Sequence, residues 1–508
     1  MSFIATPAFK GPLEETRAWR AAAHALDLTV SMAVAVVCLL AVRLPVVLSP
    51  VEACSGGLGR WIRRAPNLSA LIVMAAGLAV CTSPLRGALP GTVGLLLLAA
   101  IAYVLLGVFR MAALAAQETP TTLAEIEATA RNGLVERWFF RRIEHPIDAY
   151  FAGMIVSATV MGLVPAVLVV ASPSFRWLGL AFVWVASVIL NARHYTTLHV
   201  NSHNPIFRVS RANRASRSTT DRVILGSVGW VHEYIVNPVI NVLPEFVAAM
   251  HVYNHHVEQN SLADVTTTLP YDRASFFDFC RLACRRGLLF VFPVALVPYL
   301  IRGGRRRELK RLVRGAVFFY AAIGALWFVD ATLAAFLVAA VYARTVAIGG
   351  ANALSEHPFV DLDAPENPYR NAILVLEDAT DHGWFGEWLH AAHHVRPGRH
   401  WASVAVEGHR QIEQYRSHGA IGMKAFGRRA YLKALWTRRF DRLSEYILWV
   451  GQQDDLPQDQ IVRVLEQRTR PWGRPPAAGA PRWQSLDVAL GGAVAWALVA
   501  DDGPDPVR

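Results

Sequence analysis

The sequence predicts an all-α protein: a polytopic membrane helical bundle with a histidine-rich cap on its cytoplasmic side. Three observations lead there. The 508 residues are 54% hydrophobic and only 18% charged, with a mean hydropathy of +0.30, a balance that suits a membrane protein. Apolar runs recur at 28–48, 68–82, 92–109, 149–171, 177–190, 287–301 and 315–342. The histidines gather in short clusters beside these runs.

A span needs roughly 20 apolar residues, so 28–48, 92–109, 149–171 and 315–342 qualify most readily, and the total is about six. The turn "SPSFR" joins 149–171 to 177–190 as a hairpin. Its free ends carry the basic stretches "RWFFRRIEHP" and "NARHY", which places both ends, and the polar stretch 194–286, in the cytoplasm. The run 287–301 is short for a span. If it crossed, "RGGRRRELKRLVR" would land outside, against the positive-inside bias. Two arrangements remain: a re-entrant or interfacial 287–301 followed by a two-helix hairpin bent at Asp330, or two plain spans with a basic outer loop. Both return the chain to the cytoplasm near Arg344.

This divides the chain into an N-terminal transmembrane extension (1–120), a membrane domain (121–420), a cytoplasmic helical tail (421–470), and a segment (471–508) containing the proline-rich "PWGRPPAAGAPRW" and a final apolar stretch. There is no internal repeat. The net charge of +11 is almost all arginine. No phosphate-cradling or nucleic-acid motif accompanies it, which argues against nucleic-acid binding. The cysteines, Cys38, Cys54, Cys81, Cys280 and Cys284, are odd in number and form no disulfide framework; Cys280 and Cys284 read as helix packing. The N-terminus lacks the apolar core and cleavage site of a signal peptide, so an inner or cytoplasmic membrane is expected.

Three histidine clusters carry the chemistry: "HYTTLHVNSHNPIF" with His194, His199 and His203, "HVYNHHVEQN" with His251, His255 and His256, and "HAAHHV" with His390, His393 and His394. A lone His357 stands in "EHPF". On a helix, residues three and four apart share a face. His390, His393 and His394 are therefore expected to aim at one point, as are His251 and His255, with His256 about 100° round and able to reach a second metal. A specified triple such as HxxHH arises by chance about 0.02 times in a chain of this histidine content, and one HxxHH and one HxxxHH both occur. Neutral imidazole suits iron, zinc and copper, so metal binding is the expected role.

These motifs resemble those of the integral-membrane fatty acid desaturase superfamily, histidine-box di-iron desaturases and hydroxylases. "HVNSHNPIF" resembles the first box and its Pro-x-Phe element, "HHVEQNSLADVTTTLPYDR" the second box and its tail in a bacterial subgroup. "EHPFVDLDAPENPYRN" resembles that subgroup's stretch with an extra histidine, and "HAAHHVRPGRHW" the third box. The resemblance covers about residues 145–420. It implies two irons per chain held by His199, His203, His251, His255, His256, His357, His390, His393 and His394. It also implies an O2-dependent oxidation of a fatty acyl or related lipid chain, by desaturation first and by hydroxylation as the alternative. Val200 stands where the first box often has an acidic residue, and His194 with His199 forms another spacing seen in the family. Glu258, Asp264, Asp361 and Asp363 are candidates for orienting ligands; His400 with Trp401 either closes the third box structurally or orients a ligand; His232 and His382 read as structural.

No cysteine set for an iron–sulfur cluster and no dinucleotide fingerprint is evident. A separate electron donor (ferredoxin, rubredoxin or cytochrome) is therefore expected, docked on the cytoplasmic side. A metal transporter would place its ligands at mid-bilayer, whereas these histidines flank the spans. A carboxylate-bridged bundle would need two Glu-x-x-His pairs, and only "EWLH" fits.

Overall fold

The computed structural model describes residues 122–171 (except 134), 179–180, 192–208, 218–239, 242–365, 367–376, 383–426 and 428–472. The expected spans before residue 110, most of 177–190, His382 and the segment after 472 lie outside the described residues. What is described is mostly helical, as the composition predicts, with one small sheet.

Helix α1 (Leu123–Asn132) opens with a capping box between Thr122 and Glu125, which satisfies two otherwise orphaned backbone donors. It packs against the start of α2 (Ala149–Ala171) through Ile126, Ala130 and Phe151. The distal part of α2 exposes Leu163, Val164, Val167 and Val170. Helix α3 (Ala192–His203) and α4 (Thr219–Val231) follow, α4 running on into a π-helical turn at His232–Val236. A second π-helical stretch, Ala248–His255, carries the middle histidine cluster.

Helix α5 (Phe276–Val291) ends where Pro293 cannot continue the backbone ladder. The chain bends there by 78° before α6 (Leu296–Arg302). Tyr320, midway along α7 (Arg306–Val329), bonds back to the Val291 carbonyl, so the break after α5 lies beside the middle of α7, and α6 runs along α7 toward its start. Asp330 then turns the chain: its backbone N–H caps α7, and its carboxylate accepts from Leu333 N at 2.9 Å to begin α8 (Ala331–Arg344). The bend fits either a broken span or a re-entrant segment. The bent 276–302 segment is followed by a hairpin with Asp330 at its tip, and the arginine run stays on the histidine side. Gly315 permits this packing, since a Cβ there would strike the Pro244 carbonyl.

Among the described residues, α7 is the one helix long and apolar enough to cross a membrane; α5 and α6, counted as one bent span, make a second candidate. Only 17% of the most apolar stretch of α7 is buried, which is unlike the core helix of a soluble protein. Phe328 at its tip is 91% exposed.

A further π-helical turn (Thr345–Gly349) leads into α9 (Gly350–Glu356). Strands β1 (Ile373–Leu376) and β2 (Ile421–Lys424) pair in parallel, and β2 pairs antiparallel with β3 (Ile447–Val450). Residues read as purely helical thus include two strands, which are short and apolar and give no helical period. The side chains alternate as strand geometry requires. Ile373, Val375, Ile421 and Met423 meet α5, the 428–444 helices and the helix Gln458–Thr469, while Leu374 and Trp449 meet the segment around Leu389 and Ala392. The boundary expected at 420 is therefore not where the packing divides: 421–470 is built into the same core. Buried Arg273 ties it down by donating to the carbonyls of Thr268, Pro358, Arg468 and Arg470. Cys280 and Cys284 are buried in this core, as packing predicts.

Candidate metal centre

Helix α3, the π-helical stretch with His256 immediately after it, the residue after α9, and α10 (His390–Val395) bring all nine expected ligands together. They form two groups. His199, His203, His251, His256 and His393 make one, and His255, His357, His390 and His394 make the other; within each, one nitrogen per ring lies within 4.8 Å of all the rest. The groups abut, with the rings of His256 and His394 4.6 Å apart.

This division differs from the expected one in two places. His251 pairs with His256, their Nε2 atoms 3.0 Å apart, while His255 turns to the other group. On an α-helix, residues five apart diverge by about 140°. The π-helical backbone, bonded i to i+5, brings them onto one side. In α10 the three histidines do not converge on one point: His390 and His394 share a group, and His393, about 60° off His390, joins the other. His199 and His203 stay together as expected.

Outer nitrogens held by neighbouring groups set several of the rings. His255 Nδ1 donates to Asp264 (2.6 Å), His357 Nδ1 to the Asn371 carbonyl (2.6 Å), and His394 Nδ1 to Gln259 Oε1 (2.8 Å). His199 Nδ1 lies 2.7 Å from a Glu387 carboxylate oxygen, and the Pro397 carbonyl adjoins the His203 ring. The sheet contributes here: Asn371 immediately precedes β1, and Val375 N binds the Trp388 carbonyl, fixing the approach to α10.

With the protons on Nδ1, the inner nitrogens carry lone pairs, and those lone pairs converge. In the four-membered group, Nε2 of His357 stands 3.3 Å from that of His255 and 3.1 Å from that of His390, which is 3.1 Å from that of His394. In the five-membered group, Nε2 of His199 stands 2.9 Å from that of His393 and 3.0 Å from that of His251. His203 Nε2 is buried with no hydrogen-bond partner. Converging lone pairs repel unless a cation lies among them. The separations match adjacent nitrogens at right angles around one ion with bonds of about 2.1 Å.

Burial, reinforced by neighbouring imidazoles, holds His251, His256, His390, His393 and His394 well below the usual imidazole value. The same causes take His203 down to about 2 and His357 to about 3. At neutral pH these rings are uncharged, the form that binds metal. Burial lowers His199 too, but the Glu387 carboxylate outweighs it and the net shift is upward. Burial raises Asp264, but the His255 ring and the Thr266 bonds outweigh it and hold it down at about 2.

Of the acids expected to orient ligands, only Asp264 does so. Glu258 accepts from Tyr299, and Asp361 pairs with Arg370 and Arg468. Asp363 joins neither group. Glu387 and Gln259 were missed, since nothing in their spacing announces contacts made across the fold. His400 and Trp401 instead grip Asp148 at the base of α2 (3.1 and 2.7 Å). His194 bonds to His232 and Asn237, away from both groups, so the first cluster contributes His199 and His203.

A cavity of about 30 Å³, room for about one water, touches His199 and His251 of one group and His255 and His357 of the other. Tyr195, Val247, Met250, Arg286, Asn352 and Glu356 complete its wall. Val247 and Met250 belong to the apolar cluster shared with α5–α8, so the cavity borders the most apolar part of the molecule. No family model, curated protein or solved structure matches this chain.

Proposed function

We propose that this chain is a membrane-embedded, O2-dependent di-iron oxidase of the desaturase type, acting on a fatty acyl or related lipid chain. The observation that carries this reading is the pair of abutting histidine groups with one small cavity touching both. Five imidazoles exceed the four ligands that zinc takes in a structural site, which favours a metal of higher coordination such as iron. His199, His203, His251, His256 and His393 would hold one iron and His255, His357, His390 and His394 the other. When bound, the irons would supply the oxidising power, drawn from O2 and two external electrons, that an unactivated C–H bond demands.

The chain's own residues do the rest. Glu387, Asp264, Gln259 and the Asn371 carbonyl hold the rings in register, and such outer partners raise ligand basicity. Val247 and Met250 give the small cavity between the groups an apolar edge, and burial keeps bulk water from the ligands. The exposed apolar faces of α7 and distal α2 support the multi-pass membrane reading, with the histidine side cytoplasmic by the arginine rule. Electrons would come from a separate ferredoxin, rubredoxin or cytochrome.

Desaturation and hydroxylation share these ligands and differ in how the substrate sits. Mass spectrometry of acyl chains from a host producing this protein with its reductant, beside one producing His393→Ala, separates them. Products lighter by two hydrogens, absent in the variant, are expected. Products heavier by one oxygen would assign a hydroxylase. An iron-loaded protein that consumes no O2 with any acyl substrate would overturn the oxidase reading.

A further inference from the structure

The start of α7 holds a groove lined by Arg208, Arg306, Arg307, Lys310, Arg311 and Arg314, with Glu245 as the one acid in its wall. Glu245 is already engaged, accepting from Arg311 at 2.7 Å and Arg314 at 2.6 Å. Arg306, Arg307 and Lys310 have no acidic partner among the described residues and face the open groove. Uncompensated cations held this close repel one another unless an anion sits among them.

A second, apolar groove continues directly from the first, sharing Lys310 and Arg314 and running over Leu309, Val313, Val317, Phe318 and Ala321. Val313 and Val317 are exposed along it. From Lys310 to Ala321 the helix rises about 16 Å, about half of a ~30 Å hydrocarbon core. Trp230 and Tyr234 stand beside Phe318, a placement that suits aromatic side chains at the headgroup boundary.

We propose that these joined grooves bind an anionic phospholipid, its phosphate among Arg306, Arg307 and Lys310 and one acyl chain along Val313, Val317 and Phe318. An acidic protein would satisfy the cations but leave the apolar strip bare; a lipid of the adjoining leaflet covers both. The site lies on the outer face of α7, away from the histidine groups. It rests on α7 being a span, and not on the metal chemistry.

The test uses the full chain, purified in detergent and titrated with phosphatidylglycerol, phosphatidylcholine or inorganic phosphate, with bound lipid counted by native mass spectrometry. The protein is expected to retain phosphatidylglycerol in preference to phosphatidylcholine. The triple variant Arg306→Gln, Arg307→Gln, Lys310→Gln should lose that preference by roughly tenfold or more. A control variant, Arg410→Gln, Lys433→Gln, Arg442→Gln, should keep it, and unchanged circular dichroism would show that both variants fold. Equal retention of the two lipids, or an undiminished preference in the triple variant, would overturn the site. So would phosphate displacing phosphatidylglycerol at equal concentration, which would mark a bare anion site. A chain released from membranes by a carbonate wash would overturn the span reading, and the lipid site with it, while leaving the metal centre untouched.

Discussion

The two histidine groups are built from the same ring but held differently. The four-membered group is deep: all its members are buried, and His255, His357 and His394 are anchored by a buried carboxylate, a backbone carbonyl and an amide. The five-membered group is shallower. His203 and His251 are partly exposed, and the anchor of His199, Glu387, is itself at the edge of a cavity. One group has no ligand to spare and rigid supports; the other has one more ligand and looser ones. Removing the same side chain should therefore have unequal consequences.

The largest difference should come from the ligands themselves. His357→Ala leaves three imidazoles in the deep group and should empty it, taking the metal content of the purified chain from two ions to about one, with activity lost. His203→Ala leaves four in the shallow group and should retain both ions, one of them bound roughly 10–100-fold more weakly. Elemental analysis before and after a graded chelator wash reads both. Equal loss in the two variants would break the distinction.

Next come the anchors. Asp264→Asn should weaken metal binding by about 10–100-fold, because the substituted carboxylate supports both His255 and the Thr266 turn. Glu387→Gln, with a single ligand contact at a cavity edge, should fall at the low end of that range or below it. A chelator competition assay orders the two, and a Glu387→Gln effect larger than that of Asp264→Asn would reverse the account. The smallest effect is expected at His194→Asn. This buried residue meets His232 and Asn237 rather than either group, so both metals should stay, with a stability loss of about 1–2 kcal/mol for the disturbed buried polar pair. Loss of a metal in that variant would place His194 in the ligand set.

The same contrast explains how much was legible beforehand. Eight of the nine proposed ligands stood out by i,i+3, i,i+4 or adjacent spacing and an improbable density of histidine, which are local signals; the lone His357, and the choice of this set of nine, came from the resemblance to the desaturase boxes. Their partition was not. It depends on a π-helical stretch that makes His251 and His256 neighbours, and no local spacing rule distinguishes that backbone from an α-helix. Helical content and the Asp330 turn were readable from apolar runs and an acid in mid-run. The sheet was not, since β1, β2 and β3 are four residues each and are stabilised by packing on helices distant in sequence. Glu387 and Gln259 escaped for the same reason: their partners lie on other elements, and only the folded chain makes them neighbours.

The most direct test is to count the metal. The full chain, produced with iron available, extracted in mild detergent and analysed by inductively coupled plasma mass spectrometry, should hold two irons per chain. The double variant His255→Ala, His256→Ala, which removes one ligand from each group, should hold no more than about one, and that one should be lost more readily to a chelator wash. Two zinc ions in place of iron, or an unchanged iron content in the variant, would contradict the assignment of these nine histidines to a di-iron centre.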